Sequence, residues 1–117
     1  MTGLRDQLVA LTMWDRLPTG RPRQVRLRAQ LASEEIAGGH AFNKHVVQLG
    51  EFSGVTTRAE FASVIENTIM KGESRSLSGG RVAYWNQGVV VIRNPNAVDG
   101  GTAFRPTDGY DYYTGLH

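Results

Sequence analysis

The 117-residue chain has no cysteine, so neither disulfides nor thiolate metal sites hold it together, and no cysteine nucleophile is available. No apolar run approaches the roughly 18 residues needed to span a bilayer. The N-terminus lacks the basic, then apolar, then small-residue order of a secretory signal. An exported form would need its address on a longer parent chain or a partner. There is no GxxxxGK[ST] loop, which speaks against nucleotide hydrolysis, and no GxSxG elbow, which weakens acyl-transfer readings. Charge of one sign is also scarce. A net charge of +2 with a pI near 9.3 permits a nucleic-acid partner without demanding one.

What the chain does have is glycine, 14 residues of it, and enough length for a single core. Its charge is unevenly spread. Residues 1–33 carry six arginines (5, 16, 21, 23, 26 and 28) against Asp6 and Asp15, whereas residues 34–117 are mildly acidic. Such asymmetry suggests two parts with different jobs. Leu4 to Trp14 sets Leu4, Leu8 and Leu11 at helical spacing, and Pro18, Gly20 and Pro22 then break the pattern. A second helix is predicted over Arg23–Ala37, with Val25, Leu27, Leu31, Ala32 and Ile36 as its apolar side and Gly38-Gly39 as its stop. HAFNKHVV, residues 40–47, reads as one or two helical turns. In α geometry His40 and Lys44 share a face, while His45 points about 140° away from His40. Leu49, Phe52 and Val55 can tuck beneath the loop that follows. Thr57-Arg-Ala-Glu60 matches a capping box. It opens a helix whose stripe is Phe61, Val64, Ile65 and Ile69 and which Gly72 ends.

Beyond Gly72 the period changes to that of strands. Ser74–Ser78, Arg81–Trp85, Val89–Ile92 and Thr102–Phe104 are separated by Gly79-Gly80, Asn86-Gln87-Gly88 and Asp99-Gly100-Gly101 turns. Val89–Ile92 looks apolar on both faces and reads as the central strand. Helices followed by a run of strands, an antiparallel meander of three or four, give an α+β class.

Two constellations carry possible chemistry. His40 and His45 are acid–base candidates because imidazole titrates near neutral pH, and Lys44 between them is a candidate phosphate contact. The alternative is that one histidine caps its helix and the other is a solvated surface residue. Arg75, Arg81, Arg93 and Arg105 lie on or beside the strands, and guanidinium groups suit bidentate phosphate binding. Tyr84 and Trp85 among them can stack on unpaired bases. The alternative is solvated strand arginines, or pairs with Glu60, Glu66 and Glu73. His-x4-His is not zinc-helix spacing, and Asp99, Asp108 and Asp111 form no EF-hand pattern, so no metal site is predicted.

GGHAFNKHV at 38–46, the GEFSGVTTRAEFASVIENTI helix region and GGRVAYWNQGVVVIRNPNAVDGGTAFRP at 79–106, in that order, resemble the C-terminal toxin domains of bacterial polymorphic and contact-dependent growth-inhibition systems. More narrowly, they resemble the tRNA-cleaving branch with the barnase–EndoU–colicin–RelE fold. The resemblance covers about residues 38–113 and implies N-terminal helices packed on a twisted antiparallel sheet of three to five strands. It implies a toxin domain over 38–117 preceded by a helical extension over 1–37, and a ribonuclease needing neither metal nor other cofactor. His40, His45, Arg75, Arg93 and Thr102 would be its catalytic residues. Lys44, Arg81, Tyr84, Trp85, Arg105 and Tyr110 would contact the substrate. The implied partners are tRNA, a cognate immunity protein acidic at the interface, and a host factor in those members that use one. The implied setting is delivery as part of a larger effector, with action in the target-cell cytoplasm. A metal-dependent nuclease effector and a non-catalytic RNA- or protein-binding module are the competing readings.

Overall fold

A computed structural model of the protein describes residues 20–117; the amphipathic Leu4–Trp14 stretch lies outside them. Helix α1 spans Gly20–Ala37 and α2 spans Arg58–Lys71. Between them Phe42–Gln48 forms a π-helical turn. Four strands follow, β1 (Glu73–Ser76), β2 (Val82–Asn86), β3 (Val89–Arg93) and β4 (Gly101–Phe104), and a short α3 (Tyr110–Thr114) closes the chain. The sheet is an antiparallel meander in the order β1-β2-β3-β4. The α+β class is therefore as expected.

Helix α1 begins three residues earlier than predicted, because a proline in the first turn costs no intrahelical hydrogen bond and Pro22 does not break it. Its buried side also differs. Val25, Leu27 and Leu31 are exposed, while Ala29, Ala32, Ser33, Ile36 and Ala37 are buried. These five have the i, i+3, i+4, i+7, i+8 spacing of one helix face, and their small side chains let α1 lie close against α2. Helix α2 keeps its expected cap. Glu60 N–H donates to Thr57 Oγ1 at 3.1 Å, and Glu60 Oε1 accepts from Thr57 N–H at 3.1 Å. Phe61 and Ile65 are fully buried beneath it, with Thr68 beside them, and Val64 and Ile69 are half-buried. Leu49, expected beneath its loop, is exposed; Phe52 takes that place.

The pleat divides the sheet into two faces with different uses. Val89, Val91 and Ala103 point to the helices and share a core with Ile36, Ala37, Phe52, Phe61 and Ile65. Ala83 and Val90 point the other way, with Trp85, Ile92 and Phe104 packed beside them under Tyr113 of α3. Gln87 and Gly88 both take positive φ, as a two-residue type I′ hairpin requires. Helix α3 covers only part of the second face, and the remainder is open.

Candidate active site

The uncovered part of the second face is a cleft of about 430 Å³ bordered by His40, Lys44, His45, Arg81, Thr102 and Tyr112. Cross-strand register explains its floor. Ile92 pairs with Thr102 and Val90 with Phe104, so these four residues stand on the same side of the sheet. Gly101 leads β4 into that register at φ +134, where a Cβ would lie 1.9 Å from Ile92 O. No other residue fits there, and Thr102 follows directly.

His45 lies within the π turn, and His40 stands two residues before it. Residues five apart in an α-helix diverge by about 140°, but an i→i+5 turn returns its fifth residue towards the same side. The Leu49 N–H to Lys44 O bond, 3.0 Å, is of this i→i+5 type. Arg58 braces the turn's entry, donating from Nη1 to Ala37 O at 2.8 Å and Gly39 O at 3.2 Å while its guanidinium lies 4.7 Å from the Phe42 ring centroid. Despite the 140° divergence expected of a regular α-helix, His40 and His45 border the same cleft.

Each histidine has a carboxylate at Nδ1. His45 Nδ1 is 2.7 Å from Glu51 Oε2, and His40 Nδ1 is 2.5 Å from Asp99 Oδ2. An ionised carboxylate only accepts hydrogen bonds, so Nδ1 donates in both pairs and Nε2 is the nitrogen left for chemistry. Glu51 is itself fixed, accepting from Arg105 N–H at Oε1, 2.8 Å. Asp99 also accepts the His40 backbone N–H at 3.0 Å. That bond, followed by the one to the imidazole, holds the Asp99 carboxyl below the usual aspartate range. The approach of Asp99 depends on Gly39, where a Cβ would lie 2.4 Å from Asp99 Cβ. The two rings differ in setting. The His45 side chain is 11% exposed and rests against Phe104, whereas that of His40 is 60% exposed.

Cationic groups complete the cleft. Lys44 is exposed on the turn. Arg81 is anchored by Nε to Ser78 O at 3.0 Å and by Nη2 to Ser78 Oγ and His117 O. The arrangement offers two imidazoles, a hydroxyl and two cations around one space. That is the inventory for moving protons about a phosphate and stabilising its charge. Among the described residues, no three of His, Asp and Glu gather closely enough to hold a metal ion.

The other expected site residues lie elsewhere. Arg75 shares a register row with Ala83, Ile92 and Thr102, but three strand spacings, about 14 Å, separate it from Thr102. It is also engaged, with Nη1 donating to Tyr113 O at 2.6 Å and its guanidinium beside the Tyr113 ring. Arg93 is one residue out of phase with Ile92 and so projects to the opposite face, into a separate cavity that includes Glu35. Arg105 donates to Gln87 O and lies over Phe52. Tyr84 packs on the helix-side core, and Trp85 packs against Tyr110 and Tyr113. Tyr110 donates to Glu73 at 2.8 Å. None of the six borders the histidine cleft. Asp99, Glu51 and Tyr112, which sequence reasoning did not assign to the site, all belong to its surroundings. His40 and Asp99 are 59 residues apart, so no local spacing signals that pair. Compared with protein-family models, curated proteins and solved structures, the chain matches none.

Proposed function

We propose that this chain is the ribonuclease domain of a bacterial competition toxin, cutting tRNA by attack of a ribose 2′-OH on the adjacent phosphorus. The observation that carries the reading is the meeting of His40, His45, Lys44, Arg81 and Thr102 around one cleft. One histidine, neutral at Nε2, takes the 2′-OH proton as the oxygen–phosphorus bond forms. The other, protonated at Nε2, gives its proton to the 5′-oxygen as that bond breaks. The products are a 2′,3′-cyclic phosphate and a 5′-hydroxyl. Lys44, Arg81 and the Thr102 hydroxyl stabilise the charge on the phosphorane. Two acid–base groups and these donors account for each step, and the proposed mechanism assigns no step to a metal. A toxin of this kind needs an immunity protein. Cations at the cleft mouth favour an acidic face on that partner.

Purified protein incubated with total tRNA in EDTA tests the reading on a denaturing gel. Discrete fragments ending in cyclic phosphate are expected, and His45→Ala should lower the rate by about 10²–10⁴ while folding normally. Intact tRNA would refute the activity. Cutting only on addition of Mg²⁺ would replace the mechanism with a metal-dependent one, and a parental rate in His45→Ala would remove that residue from it.

A further inference from the structure

The cleft has an aromatic wall that proton transfer does not use. The Phe104 ring lies 5.5 Å from the His45 ring, and Tyr112 stands perpendicular to Phe104 at 5.4 Å. The three tyrosines of α3 have separate fates. Tyr113 is buried in the core under the sheet, and Tyr110 is tied to Glu73. Tyr112 is 40% exposed and borders the cleft. A half-exposed ring held edge-to-face by a second ring is rigid and keeps π surface free. The volume of about 430 Å³ is also in the range of sites that take a small organic ligand, more than one phosphate group fills.

We infer that Tyr112, backed by Phe104, is a stacking platform for a nucleobase of the nucleotides flanking the scissile phosphate. This inference rests on the ribonuclease reading and sharpens its substrate. A base stacked on Tyr112 must first be unpaired, so the cut falls in a single-stranded loop or end rather than in a stem. Stacking tolerates any base because each has a π face, so the platform selects for strandedness more than for sequence. The adjoining histidines then meet a phosphate whose position the stacked base has set.

Two measurements on the full chain test this. One is binding of a labelled all-deoxy tetranucleotide, which lacks the attacking 2′-OH and stays whole; the other is cleavage of the RNA of the same sequence. Tyr112→Ala and Tyr112→Leu are expected to weaken binding about 10–100-fold, the loss of one stacked base, and Tyr112→Phe to stay within about threefold. The leucine variant retains apolar packing on Phe104, which separates lost stacking from a loosened α3. Tetranucleotides with an abasic position in place of the stacked base should bind the parental chain and Tyr112→Ala alike. Equal binding of the intact oligomer by parent and Tyr112→Ala, or no binding by the parent, overturns the platform. A loss in Tyr112→Phe as large as in Tyr112→Ala also overturns it, since the hydroxyl would then be the contributing group. The predicted binding pattern with RNA left uncut would refute the ribonuclease reading and leave the platform standing.

Discussion

At the scale of single residues, the site depends on two carboxylates that hold imidazoles rather than react. Asp99 is the more exposed case and the easier to isolate. An Asp99→Asn side chain can offer an amide N–H to Nδ1 and so favour the wrong tautomer of His40. In buried triads that change costs about 10⁴; with His40 open to water, a loss of about 10² in kcat is expected here. Stability gives an independent readout. The Asp99 carboxyl is held below its usual range, chiefly by the His40 backbone N–H. A depressed folded-state value means that the contribution is complete above the unfolded value, about 3.9, and is lost as pH falls through the lower folded one. The difference in melting temperature between parent and Asp99→Asn should therefore be present above about pH 4 and close as pH falls below it. A gap that persisted unchanged well below about pH 4 would contradict the pairing.

At the scale of elements, β4 hangs on one glycine. A Cβ at Gly101 meets a backbone oxygen 1.9 Å away, which no rotamer change relieves, and φ +134 adds strain for any L side chain. Gly101→Ala should cost at least about 3 kcal/mol in urea denaturation, because β3 and β4 must part at the end that carries Thr102. Near-parental stability would show that the strand can shift without loss. Elements whose instructions are local were legible in the sequence. The Thr57–Glu60 box, the glycine turns and the doubly apolar Val89–Val91 each state their geometry within a few residues. The helical pattern of 40–47 was legible as well, but its pitch was not. Whether a turn closes at four or five residues is decided by what it must reach, here Glu51 and the sheet, and not by propensity. The buried face of α1 was misread for a similar reason. Close approach to α2 selects alanine and serine, so the larger Val25, Leu27 and Leu31 are left outside. Arg75 and Arg93 have the right chemistry for phosphate, but register and pleat, both non-local, carry them away from the histidines.

At the scale of the whole molecule, the proposed attraction to RNA must come chiefly from the cleft, since the net charge is only +2 and residues 34–117 hold seven basic and nine acidic side chains. This makes the salt dependence of catalysis a measure of how the substrate lies. Each phosphate neutralised on a single strand contributes about −0.7 to the slope of log affinity against log salt. Lys44 and Arg81 together predict about −1.4, and one protonated histidine brings the slope to about −2. In kcat/KM measured from low to moderate salt, Arg81→Gln should flatten the slope by about 0.7 and lower activity at every salt concentration. Arg93→Gln projects from the other face of the sheet and should leave the slope unchanged. The opposite ranking would mean that RNA crosses the loop between the two cavities and engages both faces. A parental slope steeper than about −4 would require more phosphates than the cleft can neutralise. The six arginines of residues 1–33 would then be the source of the extra contacts, and changing them together to glutamine should return the slope to about −2 while leaving cleavage of a short single strand nearly unchanged.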